Sequence, residues 1–334
     1  MPLQARPATG RRLASLFLVA VVASTCFQNR TTAPVDASSV PGGVSPSSVL
    51  RAVAAASHIK ALPDNLTPSL RAASQDYGGY VAVRRDCSPA DNQSSVGACQ
   101  WGDPRGSRTL VLLGDSHAQM WVTAFDAIGR RLHWKVVLLA KPSCPPPFTH
   151  FYDVITKSLY RACDAWHAYT AARIKRARPS LVVMASDNLF PLNGDAKVMS
   201  RSVWGHGLRK SIRMIATART RVVLMGDVPR LGARPYVVSG PDCLAAHEDN
   251  VQACSYSPTN VSRDLYNSTE KQVARTAGVR YIDVFPWFCS SVCTAVVGNM
   301  VVYMNPGHIT TTYATYLSGA LQAALKPAMT RARG

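Results

Sequence analysis

Acid is scarce in this chain. Its 334 residues carry 19 aspartates and glutamates against 37 lysines and arginines, a formal net charge of +18. A surface of that sign favours anionic partners such as phosphorylated polymers, acidic lipids or nucleic acid. The basic residues are scattered, in short pairs such as Arg84-Arg85 and Arg130-Arg131, and no zinc-finger or RNA-recognition pattern accompanies them. Nucleic acid is therefore not the expected partner, and a generally basic surface is the plainer account. Long apolar runs are scarce as well. The run from Leu13 to about Ala23 is short for a membrane span, and no other is long enough to cross a bilayer. Cys-x-x-Cys pairs and an internal repeat are also missing, which argues against a structural zinc site and a solenoid.

What is present begins with an export signature. Arg6, Arg11 and Arg12 precede the apolar run, and Ala23, Ser24 and Thr25 follow it, as in a signal peptide. Residues 1–26 are thus expected to be a signal peptide or N-terminal anchor. "ASTC", ending at Cys26, faintly resembles a lipoprotein cleavage site, so cleavage, an uncleaved anchor and lipidation all stay open. Residues 27–48, rich in Ser, Pro, Thr and Gly, read as a flexible linker. The remaining chain, 49–330, is expected to be one folded domain with a helical extension at its start. Its eight cysteines fall into four close neighbours along the chain: Cys87 and Cys99, Cys144 and Cys163, Cys243 and Cys254, Cys289 and Cys293. Disulfides fit an exported chain, and we expect those four sequential bridges and no metal.

Five β-branched runs, 109–113, 135–140, 180–185, 221–226 and 280–284, alternate with helical patterns near 118–131, 156–176, 197–217, 260–277 and 310–325. A further helix is expected within 49–76. Continuous apolar strands between amphipathic helices predict an α/β fold, with a mainly parallel five-stranded sheet covered on both faces. Ligands of such sheets bind beyond the carboxyl ends of the strands.

The first strand ends in "TLVLLGDSHAQMW", residues 109–121. Gly114, Asp115 and Ser116 suit a plain turn. They equally suit a nucleophile at a strand's carboxyl end, with the amides of the following helix able to hold an oxyanion. A serine nucleophile needs a base. His308, in "VVYMNPGHITTTY", follows a loop and precedes a helix that Thr310 can cap, so it can stand on the same rim.

These pieces together resemble an SGNH (GDSL-type) hydrolase-like domain, of the kind fused to family-3 membrane acyltransferases of bacterial envelopes. The resemblance spans about residues 60–325. It rests on "CQWGD" before "LVLLGDSHAQMW", on "KPSCPPP", on "PDCLAAH" with Cys254, and on "WFCSSVC" followed by "VVGNMVVYMNPGH". It implies a three-layer α/β/α, flavodoxin-like fold, Ser116 as nucleophile and His308 as general base, with no cofactor. It also implies an oxyanion-binding asparagine, for which Asn188 in "ASDN" is the candidate, with Ser143 a looser one. Asp115 is expected to brace the nucleophile loop. His117 is expected either to touch substrate or to serve the helix structurally.

Two departures qualify the resemblance. The family's Asp-x-x-His reads Asn305-Pro306-Gly307-His308 here, so the carboxylate that supports the imidazole is absent. No multi-span acyltransferase accompanies the domain, which is then expected to work alone or with a separately encoded membrane acyltransferase. Two functions follow. One is an exported O-acyl esterase or acyltransferase acting on cell-envelope polysaccharide or glycolipid. The other is a catalytically degenerate module that binds glycan or a partner. Non-reducing peptide mapping of the exported chain should return the four sequential bridges, and a peptide joining Cys99 to Cys144 would break the framework.

Overall fold

The computed structural model describes residues 43–76, 87–188, 191–232, 238–259 and 265–330. The expected signal segment, Cys26 and most of the expected linker lie outside them. The linker's last residues do not: Ser45 caps a helix, Pro46–Ala55, that buries Val49 and Val53. Among the described residues no helix is long and apolar enough to cross a membrane.

The main sheet is built from β1 (Gln100–Gly102), β2 (Arg108–Gly114), β3 (Trp134–Ala140), β6 (Leu181–Ala185), β7 (Arg221–Met225) and β8 (Arg280–Ile282). Between β3 and β6 a short hairpin, β4 (Tyr152–Asp153) and β5 (Ser158–Leu159), stands apart. The strand order is β1-β3-β2-β6-β7-β8. Five of these strands, β2, β3, β6, β7 and β8, are parallel, as the apolar runs predict. The sheet gains a sixth member in β1, which runs antiparallel along β3. Three residues with one apolar ring carry too little periodicity to announce a strand, and pairing with β3 is what extends them.

Alternation explains the layers. Along β2, Leu110 and Leu112 face one core, with Phe125, Ile128 and Leu321 of the helices Val122–Leu132 and Ser318–Met329. Val111 and Leu113 face the other, with Trp166, Trp204 and Leu208 of Arg161–Ala177 and Arg201–Ile215. Successive side chains of a strand point to opposite faces, so a run buried on both sides must be apolar throughout. This is the three-layer α/β/α arrangement of an SGNH hydrolase-like fold.

Three helical expectations need correction. The helix placed at 156–176 starts at Arg161, because Asp153 turns the chain by accepting from Ile155 N (2.9 Å) and Thr156 Oγ1 (2.7 Å), closing the hairpin. The helix placed at 118–131 is two, Ser116–Gln119 and Val122–Leu132. The one placed at 310–325 is Thr311–Tyr316 followed by Ser318–Met329. The first part of 260–277 lies outside the described residues, and the helix is seen from Leu265 to Thr276.

All four expected disulfides are present: Cys87–Cys99, Cys144–Cys163, Cys243–Cys254 and Cys289–Cys293. With Cys144 and Cys163 bonded to each other, the buried cluster they form with His167 offers no thiolate to a metal.

The end of β2 has one steric demand. A Cβ on Gly114 would lie 1.8 Å from the carbonyl oxygen of Ala185 and 2.7 Å from Cβ of Ala118. Gly114→Ala should therefore destabilise the domain by about 3 kcal/mol or more in urea melts. Gly298→Ala, with φ +60° and open space around it, should cost about 1–2 kcal/mol. Equal costs for the two would mean that the β2–β6 approach is not constraining.

Candidate active site

Past Gly114 the chain turns sharply into Ser116–Gln119, and Asp115 is the cap. Its Oδ1 accepts from His117 N at 2.8 Å. The same carboxylate accepts from Asp187 N at 3.1 and 3.0 Å, so it joins the loop after β2 to the loop after β6. Burial pushes its carboxyl up to about 7, against the opposing pull of His117. Through these hydrogen bonds Asp115 ties the two loops together. The helix amides behave differently from expectation. Those of Ala118 and Gln119 donate to the Asp115 carbonyl and that of His117 to its carboxylate, so all three are committed internally.

Ser116 is the first residue of this turn, half-buried at the sheet's carboxyl rim. On the same rim Tyr303 bridges Ile309 and Met304 N donates to the His308 carbonyl, closing a tight loop. Thr310 caps the next helix, as expected, by accepting from Tyr313 N at 3.1 Å. Inside the loop Asn305 Oδ1 accepts from Gly307 N and His308 N, each at 2.8 Å. Two backbone donors can face only an oxygen, so the amide's orientation is fixed. The same oxygen lies 3.1 Å from His308 Nδ1, which must then carry the proton. Nε2 keeps its lone pair. The His308 ring lies 4.9 Å, centroid to centroid, from that of His117, the neighbour of Ser116.

The structure surrounds His117 with groups that sequence reasoning missed. Its Nδ1 meets Asp227 Oδ1 at 2.5 Å. Arg230 Nη2 lies 3.3 Å from its Nε2 and 2.6 Å from Asp187 Oδ1. Burial opposes charge on His117, but Asp227 and Asp187 outweigh it and raise its pKa. His117, Asp187 and Asp227 are close enough to share a cation, and the Arg230 guanidinium already supplies the positive charge among them. The signal that could have found Asp227 was its place just past β7, the same rule that singled out Ser116. Asp283, by contrast, accepts from Phe285 N at 3.1 Å, capping a short turn after β8.

The two looser candidates fare differently. Asn188 is fully buried, its N–H directed at Asp227 Oδ2 (3.4 Å) and its Nδ2 donating to Asn267 Oδ1 (3.0 Å). Its Oδ1 has no hydrogen-bond partner among the described residues. Ser143 is exposed in the loop after β3, in a left-handed conformation (φ +56°), and no described contact ties it to the others.

A half-buried serine on a strand-end turn, with an oriented imidazole on the same rim of a three-layer sheet, defines an SGNH-type hydrolase or acyltransferase architecture. The chain belongs to the family described as "SGNH domain (fused to AT3 domains)", whose model matches residues 86–323. No curated protein sequence matches it significantly. Among solved structures it is similar to a lipopolysaccharide acetyltransferase periplasmic domain from Salmonella ser. Paratyphi A. That likeness has 16% identity and a TM-score of 0.56, covering 77% of this chain and 99% of that one. A carbohydrate acetylesterase family member from Sinorhizobium meliloti is similar at 10% identity and a TM-score of 0.41, covering 66% and 99%. The Salmonella likeness speaks to the fold alone.

The site's electrostatics set a pH dependence. Burial, then the charge on His117, push His308 down to about 3. The unfolded chain therefore binds a proton on this ring below about pH 6.5 that the folded chain refuses. Stability from this group is fully present above about 6.5 and is lost as pH falls toward 3. His308→Gln should flatten the stability–pH curve by about 1.4 kcal/mol per pH unit between roughly pH 6 and 4. Parallel curves for the two proteins would show that His308 titrates normally.

Proposed function

We propose that the protein is an exported serine-dependent O-acyl esterase or acyltransferase acting on cell-envelope polysaccharide or glycolipid. The observation that carries the reading is the fixed hydrogen bond from His308 Nδ1 to Asn305 Oδ1, which leaves Nε2 as a proton acceptor on the rim that bears Ser116. Export is supported by the arginine-flanked apolar run at the start and by four disulfides. The similar Salmonella domain is the periplasmic domain of a lipopolysaccharide acetyltransferase, and the substrate class is taken from it by analogy. A separately encoded membrane acyltransferase is the partner that would supply acyl groups.

In this mechanism Ser116 Oγ attacks the ester carbonyl as its proton passes to His308 Nε2. Ser116 N–H and Asn188 are the groups this reading assigns to the developing oxyanion. The tetrahedral adduct collapses, the leaving alcohol takes the proton from His308, and an acyl-serine remains. Water then completes hydrolysis, or a sugar hydroxyl completes transfer, with His308 again accepting the proton.

Asn305 sets the rate. In a Ser-His-Asp site the carboxylate supports the imidazolium that forms, and replacing it with the amide costs about 10⁴-fold in a serine protease. Here the amide keeps the geometry and withholds the charge. A second reading draws on the same fact: a ring as reluctant to protonate as His308 suits a binding module that turns nothing over.

The test separates them. Ser116→Ala should abolish turnover of simple acetyl esters with little change in melting temperature. Asn305→Asp places a carboxylate where two backbone N–H groups already hold an oxygen, and should raise turnover by about tenfold or more. The double variant Ser116→Ala/Asn305→Asp should be inactive. No fluorophosphonate labelling of Ser116 and no turnover in wild type or Asn305→Asp would favour the binding module.

A further inference from the structure

Arg230 occupies an unusual position. It follows β7 in the stretch Asp227-Val228-Pro229-Arg230, its side chain is 12% exposed, and it meets three separate segments. Toward the β6 loop, Nη2 is 2.6 Å from Asp187 Oδ1. Toward the nucleophile turn, the same nitrogen is 3.3 Å from His117 Nε2. Toward the base loop, the group lies beside Gly307: a Cβ placed there would be 3.6 Å from both the guanidinium carbon and Nη1. Its Nε is buried with no hydrogen-bond partner among the described residues, so the group is held by what its other nitrogens reach.

We propose that Arg230 is the positioning residue of this site, a planar clamp that fixes the base loop 305–308 against the nucleophile turn 115–117 and sets the charge felt by His308. The inference rests on the reading of Ser116 and His308 given above. Each half has its own physical cause. The geometric half comes from the extent of the guanidinium: Nη2 lies within reach of both the Asp187 carboxylate and the His117 imidazole edge, while the central carbon and Nη1 lie beside Gly307. A lysine ammonium could take the place of Nη2 but lacks the plane that reaches Gly307 as well. The electrostatic half comes from the groups that face His308. His117 and Arg230 oppose a positive charge on it and Asp187 favours one, while Asn305 contributes a dipole with no net charge. Asp227 and Asp115 act one step further out, on His117 and on the Asp187 loop.

The clamp also explains why an asparagine can stand at 305. Asp187 and Asp227 already supply two carboxylates to the cluster, balanced by Arg230 and His117. The position of the base is fixed from outside the base loop, by Arg230, and from inside it, by backbone donors to Asn305. Negative charge at 305 is then a matter of rate and is not required to hold the ring.

The test uses the exported chain carrying Arg230→Lys or Arg230→Gln. It reads the His308 ring by NMR titration, the His117–His308 ring contact by cross-relaxation, and kcat and KM on an acetyl ester. In wild type His308 should stay neutral down to about pH 4. Arg230→Gln should move its midpoint up by about one pH unit or more, weaken the ring contact and lower kcat by about tenfold or more, with KM changed less than about twofold. Arg230→Lys should keep the midpoint near the wild-type value yet lose kcat similarly, which separates charge from geometry. A folded Arg230→Gln protein with an unmoved His308 midpoint, or with kcat within about twofold of wild type, overturns the proposal. Where the glutamine variant fails to fold, Arg230→Lys decides alone: a change confined to KM, or none, overturns it. A wild type without turnover removes the esterase reading, and the two ring measurements still decide the clamp.

Discussion

The site depends first on the Asp115 carboxylate. It is 1% exposed, and on one residue it gathers the amide of His117 and the amide of Asp187. Burying a carboxyl is costly unless its oxygens are satisfied by donors. Here the donors come from two strand ends that lie side by side only because Gly114 lets β2 and β6 approach. The turn that bears Ser116 is therefore a product of sheet packing more than of local turn preference. Ser116 stands where it does because the residues before it are held on both sides.

Around that turn, charge is arranged in alternation. Asp227 faces His117, Arg230 faces His117 and Asp187, and Asp187 returns an amide to Asp115. His308, by contrast, is held by a neutral group, Asn305 Oδ1 at its Nδ1. The result is a ring that stays unprotonated through the ordinary pH range and must work against its surroundings to accept a proton.

Much of this was legible in the residues. Strands buried on both faces announce themselves by unbroken β-branched runs, and all five parallel strands lie within a residue or two of their expected spans. The cysteine pairs were readable because each closes a short loop. What could not be read was set by distance in space. The β1 edge exists through its pairing with β3, and the helix break at Leu317 has no counterpart in the apolar pattern. Arg230 carried no signal at all, being one arginine among many until Gly307, Asp187 and His117 converge on it. Asn305 was recognised as a departure, but its orientation depended on two backbone amides that a sequence does not display.

The helix Pro46–Ala55 looks incidental to this chemistry, yet its approach path is informative. The chain comes in through Gly43, which passes 3.7 Å from the Arg131 guanidinium if extended by a Cβ and lies close against Gly319. Arg131 ends the helix that begins at Val122 near the nucleophile, so this doorway is at the far end of that helix from Ser116. The whole length of the helix Val122–Leu132 thus separates the point where the described chain enters the domain from the Ser116 rim.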